Sequence, residues 1–94
     1  MIKDFACRET AKVFRGERAT KFQPAILERA REQLFILAAA VSLNDLRAPP
    51  GNRLEAVKGD RKGQYSIRVN QAWRICFGWK DGSADRVELT HHYR

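Results

Sequence analysis

The sequence predicts an α+β fold in which two N-terminal helices pack on a mostly antiparallel β-sheet. Three observations lead to this prediction. From residue 24 to about residue 41, apolar residues recur at three- or four-residue steps, the period of an amphipathic helix. Beyond residue 52, apolar and polar residues alternate, as they do in half-buried strands. The tetrapeptide KDGS at 80–83 has the composition of a hairpin turn, which makes the two strands beside it antiparallel.

The first 23 residues are expected to hold one short strand and one short helix. The stretch IKDFA (2–6) has the composition of a strand, with Ile2 and Asp4 on one face and Phe5 on the other. The stretch RETAKVFR that follows is rich in helix formers, and Gly16 is a suitable residue to end the helix.

The second predicted helix begins at Pro24, because proline suits the first helical position. Its apolar stripe is expected to run from Ile26 to Val41, and the segment LFILAAAV (34–41) is apolar nearly all round. The C-terminal half is therefore expected to be the buried half. The following segment SLNDLRAPPGN (42–52) contains prolines and a glycine, which predict an ordered surface loop.

Four segments have the pattern of strands: RLEAV (53–57), QYSIRVN (64–70), AWRICFGW (72–79) and ADRVELTHHY (84–93). Alternation puts large apolar residues on one face of each long strand. It puts Arg68 and Arg74 on the opposite face. In the last strand His91 and Tyr93 share the apolar face, whereas His92 shares the face of Glu88 and Thr90.

Length and composition indicate one domain over residues 1–94, with a polyanion as partner. The chain has 18 Lys and Arg against 11 Asp and Glu, a net charge of +7, and such an excess favours RNA, DNA or an acidic protein segment. No helix joins a basic face to a broad apolar one, and no signal peptide or membrane span is recognisable. Two distant cysteines are expected to be reduced core thiols. The expected location is the cytoplasm.

A cluster of cations on the sheet is the first candidate site. Neighbouring strands would bring Arg68, Arg74 and His92 to one surface, with Lys58 and Arg61 at its edge. Ordinary solvent exposure explains such residues, but clustered like charges repel, and this surface offers mainly Glu55 and Glu88 as carboxylates. A phosphate would use the surplus donors.

The C-terminal LTHHYR is the second candidate. Its histidines and tyrosine are groups that can move protons, which general acid–base catalysis requires. Adjacent residues of a strand point to opposite faces and no further histidine exists, so no metal site or other cofactor is predicted.

The segments IKDF, PPGNRLEAVKGDRKGQYSIRVNQAWRICF (49–77) and HHYR resemble the HigB-type toxins of the RelE superfamily. The resemblance covers essentially the whole chain. It implies the RelE-like microbial RNase fold and a toxin of a type II toxin–antitoxin system. Such a toxin is a ribosome-dependent, metal-independent mRNA endoribonuclease that cuts in the ribosomal A site and leaves a 2′,3′-cyclic phosphate. The implied partners are a HigA-type helix-turn-helix antitoxin, mRNA on the 70S ribosome, and operator DNA only through the antitoxin.

The resemblance also implies a catalytic set. The lysine of KGDR and the arginine of WRI are Lys58 and Arg74 here, while Glu55 stands where many relatives carry a histidine. Many relatives end in Asp-Tyr-His, and the matching residues here are His91, His92 and Tyr93. Strand parity favours His92 as the partner of Arg74 and the family register favours His91 and Tyr93, so all three are candidates. The cations expected to bind RNA phosphates are Arg53, Arg61, Arg68 and Arg94.

Three functions therefore follow from the sequence. The first is an mRNA interferase that arrests growth. The second is a catalytically weakened RNA- or ribosome-binding homologue, suggested by the altered C-terminus. The third is a toxin-like subunit that acts mainly by binding the antitoxin and regulating the operon.

Overall fold

The computed structural model describes residues 1–47, 50–61 and 63–91. Three helices come first: α1 (Arg8–Arg15), α2 (Pro24–Ala39) and the one-turn α3 (Asn44–Arg47). Four strands follow: β1 (Glu55–Ala56), β2 (Tyr65–Arg68), β3 (Trp73–Lys80) and β4 (Ser83–His91). Single 3₁₀ turns lie at Pro50–Asn52 and Gly59–Arg61.

The four strands form one sheet in the order β1-β2-β3-β4, and each neighbouring pair is antiparallel. This confirms the predicted meander. The alternation in β2 and β3 is also confirmed, because Ile67, Ile75 and Phe77 are all fully buried. They pack against Leu34 and Leu37 of α2, so the core lies between the helices and one face of the sheet.

The N-terminal segment joins the sheet differently from the prediction. Instead of a regular strand, Ile2 and Phe5 form isolated parallel bridges with Ala84 and Val87 of β4. Ile2 and Phe5 both pack against the core, so the expected placement of Phe5 on the opposite face is wrong. Ile2 and Phe5 are three residues apart, and so are their bridge partners Ala84 and Val87. The two partners lie on either side of an irregularity in the pairing of β3 with β4.

Helix α1 ends as predicted at Gly16, which has a left-handed backbone (φ 77°) and whose N–H group faces the carbonyls of Lys12 and Val13. Cys7 is the residue before α1 and is only half-buried, so it is not the core thiol that the sequence predicted, whereas Cys76 is buried. Burial by itself would raise the pKa of the Cys7 thiol, but the N–H groups of Thr10 and Glu9, the Thr10 side chain and nearby Lys21 lower it overall.

Helix α2 begins at Pro24 as predicted and ends two residues before the predicted boundary. Its buried stripe includes Ile26 and Ala30 as well as Leu34 and Leu37, so it runs along the whole helix and not only the C-terminal half. Val41 is 75% exposed, which contradicts its predicted place in the stripe. The chain leaves the helix there because the Asp45 carboxylate accepts hydrogen bonds from the N–H groups of Val41 and Ser42.

The segment after α2 lies largely at the surface, as its prolines and glycine suggested, but it is more regular than the predicted loop. It contains α3 and a 3₁₀ turn, and the side chains of Leu46 and Asn52 are almost completely buried. Asn52 donates a hydrogen bond to the carbonyl of Leu46 and accepts one from Gln33 of α2. This segment therefore belongs to the packed body of the protein. No helix of the described residues has the length and apolar character needed to cross a membrane.

Candidate active site

Two arginines lie opposite each other on the sheet face that is turned away from α2. Arg68 of β2 and Arg74 of β3 are direct partners in the antiparallel ladder, and Thr90 of β4 is the next residue in that row. Such partners have Cα atoms about 4.5–5.5 Å apart. The sequence grouped Arg68 with Arg74, and the register brings them together. His92, the third member of that group, lies outside the described residues.

Arg74 is a buried cation fixed by backbone and side-chain acceptors. It is 7% exposed. Its Nε donates to Ser66 Oγ at 2.8 Å, and its Nη2 donates to the carbonyl of Arg53 at 2.7 Å and to that of Ser66 at 3.4 Å. Nη1 makes no hydrogen bond to any described residue, so part of the guanidinium remains available to a ligand.

The surroundings of Arg74 act on its pKa in opposite directions. Burial lowers the pKa of this guanidinium, and the Glu55 carboxylate, 3.8 Å from Nη2, opposes that effect. The nearby charges of Arg68 and Arg53 lower the pKa further. Glu55 is well exposed and therefore compensates only part of this positive charge. A site of this kind favours an anion, because an anion relieves the repulsion between the arginines.

Arg53 contributes its backbone to the same site. It has a φ of 45°, a left-handed conformation that costs a residue other than glycine about 1–3 kcal/mol. Its carbonyl oxygen accepts the hydrogen bond from Arg74 Nη2. The Arg53 side chain is exposed and makes no hydrogen bond or ion pair with another described residue. The unusual backbone thus positions Arg74 while leaving a second cation exposed nearby.

The predicted edge residues have different environments. Arg61 is already engaged: its Nη2 lies 2.8 Å from Glu88 Oε1, and its Nη1 donates to Gln64 Oε1 at 3.4 Å. Lys58 lies beyond the end of β1, is exposed, and forms no ion pair with a described residue. A phosphate would compete with a carboxylate for Arg61, whereas among the described residues it would meet no such competitor at Lys58.

His91 lies on the helix-facing side of the sheet. Its ladder partner is Trp73, and the two ring centroids are 4.0 Å apart in an edge-to-face arrangement. Trp73 in turn packs edge-on against Phe22, with centroids 5.6 Å apart. Strand parity therefore correctly separated His91 from Arg74, and the structure does not bring these two residues together. The other C-terminal candidates, His92, Tyr93 and Arg94, lie outside the described residues.

The sequence predicted no metal site, and the structure shows how the side chains that could coordinate a metal are distributed. Within residues 1–47, 50–61 and 63–91, no three His, Cys, Asp or Glu side chains are grouped so that they could hold a metal ion.

Sequence reasoning missed two contributors. Ser66 is buried, and its Oγ accepts a hydrogen bond from Arg74 Nε. Arg29 of α2 lines an open basin of about 860 Å³ together with Arg53 and Arg68. The only local signal for Arg29 is that it lies four residues before Gln33, on the same face of α2. Gln33 Nε2 donates to the carbonyl of Arg68 at 2.7 Å, so this face of the helix lies near Arg68.

Comparison with known proteins relates the chain to a family of toxins. Residues 3–92 match the family model described as the RelE-like toxin of type II toxin–antitoxin system HigB. Toxin HigB-1 of Vibrio cholerae is 38% identical over 93 residues, which cover 98% of each chain. Endoribonuclease HigB of Proteus vulgaris is 29% identical over 84 residues, 89% of this chain and 90% of the relative.

A solved structure supports the fold independently. A chain of the YoeB–YefM complex from Staphylococcus aureus superposes with a TM-score of 0.61 at 15% identity, covering 99% of both chains. That likeness supports the α+β fold of the RelE-like toxins. The family match and the Vibrio cholerae relative establish that the chain belongs to the HigB family of RelE-like toxins of type II toxin–antitoxin systems.

Proposed function

We propose that this toxin is an mRNA endoribonuclease that cleaves without a metal ion, in the A site of the ribosome. The observation that carries the proposal is the pairing of Arg68 with Arg74 across the strands. Hydrogen bonds from Nε and Nη2 hold the Arg74 guanidinium, and its Nη1 has no partner among the described residues. Two guanidinium groups on one face suit a phosphodiester, because Arg68 can donate two parallel hydrogen bonds to phosphate oxygens and Arg74 can donate through Nη1. The name of the Proteus vulgaris relative supports the same class of activity.

The proposed reaction is an internal transfer within the RNA. The 2′-oxygen attacks the adjacent phosphorus and loses its proton to a base, while the bond to the 5′-oxygen breaks and that oxygen takes a proton from an acid. The products are a 2′,3′-cyclic phosphate and a 5′-hydroxyl. Arg68 and Arg74 stabilise the negative charge that builds up on the non-bridging oxygens. Lys58, which is exposed, stabilises the attacking oxygen as it loses its proton.

The proton carriers are assigned by elimination among the candidates. Glu55 is exposed and 3.8 Å from Arg74, so its carboxylate is in place to accept a proton on this face. His91 is packed against Trp73 on the other face, which favours His92, the C-terminal candidate that strand parity assigns to the face of Arg74. Arg53 and Arg94 are proposed to bind flanking phosphates, and Arg61 to do so in exchange with Glu88.

The proposed partners follow from the family and the charge. We expect a HigA-type helix-turn-helix antitoxin, contact with operator DNA only through that antitoxin, and action in the cytoplasm. The net charge of +7 favours approach to the RNA-rich ribosome.

The test is Arg74→Lys, which keeps the charge and removes the planar fork. We expect growth arrest on induction of the wild type, with new mRNA 5′ ends mapped by primer extension, and a loss of cleavage of about 10²-fold or more in the variant. Purified protein should cut mRNA on programmed ribosomes and leave naked mRNA intact. Arg15→Ala, an exposed arginine of α1 paired with Glu17, is the control. Full cleavage by a folded Arg74→Lys protein would contradict the assignment.

One observation favours a second candidate function, the catalytically weakened homologue. The described part of the chain places no histidine beside Arg74, because His91 is on the helix face. This candidate predicts RNA binding that weakens with salt and gives no cyclic-phosphate product. Analysis of the 3′ ends from ribosome-bound mRNA distinguishes it from the nuclease.

A further inference from the structure

An open basin lies beside the Arg68–Arg74 pair, at the end of the sheet where β2 turns into β3. It is lined by Arg29 of α2, Gly51, Arg53, Arg68 and the turn at residues 69–72, and its volume is about 860 Å³. That volume falls within the range of about 300–1,000 Å³ that is usual for ligand sites. Arg68 belongs both to the ladder pair with Arg74 and to the basin wall, so the two features are continuous.

The basin is strongly positive. Three of its lining residues are arginines, and none is a carboxylate. The side chains of Arg53 and Arg68 make no ion pair or hydrogen bond with another described residue. Arg29 is paired only with Glu32 one turn along α2, at 3.4 Å and with both side chains well exposed. Such exposed pairs are weak, so a phosphate can readily replace the carboxylate.

The walls of the basin are held in place by buried hydrogen bonds. Gln33, one turn from Arg29, is fully buried and joins α2 to the carbonyl of Arg68 and to Asn52 Oδ1. In the β2–β3 turn, the Asn70 Oδ1 accepts from the N–H groups of Ala72 and Trp73, both at 2.8 Å. The guanidinium groups are therefore carried by elements whose relative positions are fixed before any ligand binds, which lowers the entropic cost of binding.

We propose that this basin is a second phosphate subsite, in which Arg29 and Arg53 bind a phosphodiester of the same RNA strand whose scissile phosphate lies at Arg74. The inference rests on the proposed function, since it takes RNA as the ligand of the Arg74 face. Arg68 links the two sites, and the openness of the basin suits a continuous strand better than a small enclosed anion. Arg29 is a positioning residue, because it binds the strand away from the reacting atoms.

The test compares short and longer RNA analogues that cannot be cleaved. Fluorescein-labelled 2′-O-methyl oligonucleotides with one internal phosphate and with three are titrated at low salt and the anisotropy is measured. For the wild type, the longer strand should bind about tenfold more tightly. In Arg29→Ala this gain should fall to about twofold or less, and the slope of log K against log salt should decrease by about 0.7 for the longer strand. Arg29→Lys should retain part of the gain.

Arg15→Ala is the matched control, because it removes an exposed, carboxylate-paired arginine that does not line the basin. It should leave the gain with length unchanged. Equal losses in Arg15→Ala and Arg29→Ala would overturn the proposal in favour of a general charge effect. An unchanged gain with length in Arg29→Ala, or the absence of oligonucleotide binding, would also overturn it. Cleavage on ribosomes is assayed in parallel with wild-type protein. Cleavage without an Arg29 effect refutes the subsite alone, whereas an Arg29 effect without cleavage refutes the nuclease alone.

Discussion

At the scale of single residues, the decisive feature is the guanidinium of Arg74, which is buried and has one nitrogen, Nη1, without a partner among the described residues. A buried charge destabilises a fold unless it is hydrogen-bonded, and Arg74 meets this condition with Ser66 Oγ and two backbone carbonyls. Alternation predicted that the Arg74 side chain lies on the sheet face opposite the core, but it did not predict that this side chain is buried. Its burial depends on the left-handed backbone of Arg53, a long-range contact that the local pattern around residue 74 does not encode.

Ser66→Ala tests whether this orientation matters for the chemistry. The change removes the acceptor of Arg74 Nε, and we expect the free energy of unfolding to fall by about 1–2 kcal/mol. We also expect kcat for ribosomal cleavage to fall about tenfold with little change in KM, because the guanidinium remains but is less well held. Urea unfolding and single-turnover cleavage provide the two measurements. Ser83→Ala, a half-buried serine at the start of β4, is the control. Reduced stability with unchanged kcat would show that Ser66 has only a structural role.

At the scale of elements, the pairing of β3 with β4 contains a bulge that organises one side of the molecule. Gly78 pairs with Asp85 whereas Cys76 pairs with Glu88, so the register shifts between them, and Arg86 has a φ of 49°. The shift lets both Ala84 and Val87 face the core, three residues apart, and the N-terminal bridges follow that spacing. The sequence predicted both strands from their alternation but missed the N-terminal geometry, because a bulge in a distant strand determines it.

Gly78→Ala tests the requirement for a bare backbone at this bulge. A Cβ at position 78 would overlap Asp85 Oδ1 and lie 2.8 Å from Arg86 Nη2. We expect the free energy of unfolding to fall by about 1–3 kcal/mol. Adding Asp85→Ala should restore part of that loss, because the Asp85 oxygen is the nearest obstacle and has no hydrogen-bond partner among the described residues. Denaturant titrations of both single variants and the double variant measure the coupling. Strictly additive losses would refute the proposed steric cause.

At the scale of the whole molecule, the charge excess and its placement are separate properties. Composition gives the net charge of +7 and hence the class of partner, and both were available from the sequence. The proposed binding surface was not available from the sequence, because Arg29 on α2 and Arg53 and Arg68 near the sheet meet only after the chain has folded. The family match identifies the toxin, but the assembly of cations from separate elements had to come from the structure.

Arg68→Glu separates placement from net charge. The variant lowers the formal net charge from +7 to +5, and Lys80→Glu, at an exposed position at the end of β3, lowers it by the same amount. Both variants should weaken general attraction to RNA. Only Arg68→Glu puts a carboxylate directly across the ladder from Arg74, where it can form an ion pair worth about 0.2–1 kcal/mol and occupy the donors meant for phosphate. We therefore expect Arg68→Glu to be at least as stable as the wild type in thermal unfolding and to lose cleavage by about 10²-fold. Lys80→Glu should retain most of its cleavage activity, and a comparable loss in both variants would mean that total charge, and not the paired arginines, governs the activity.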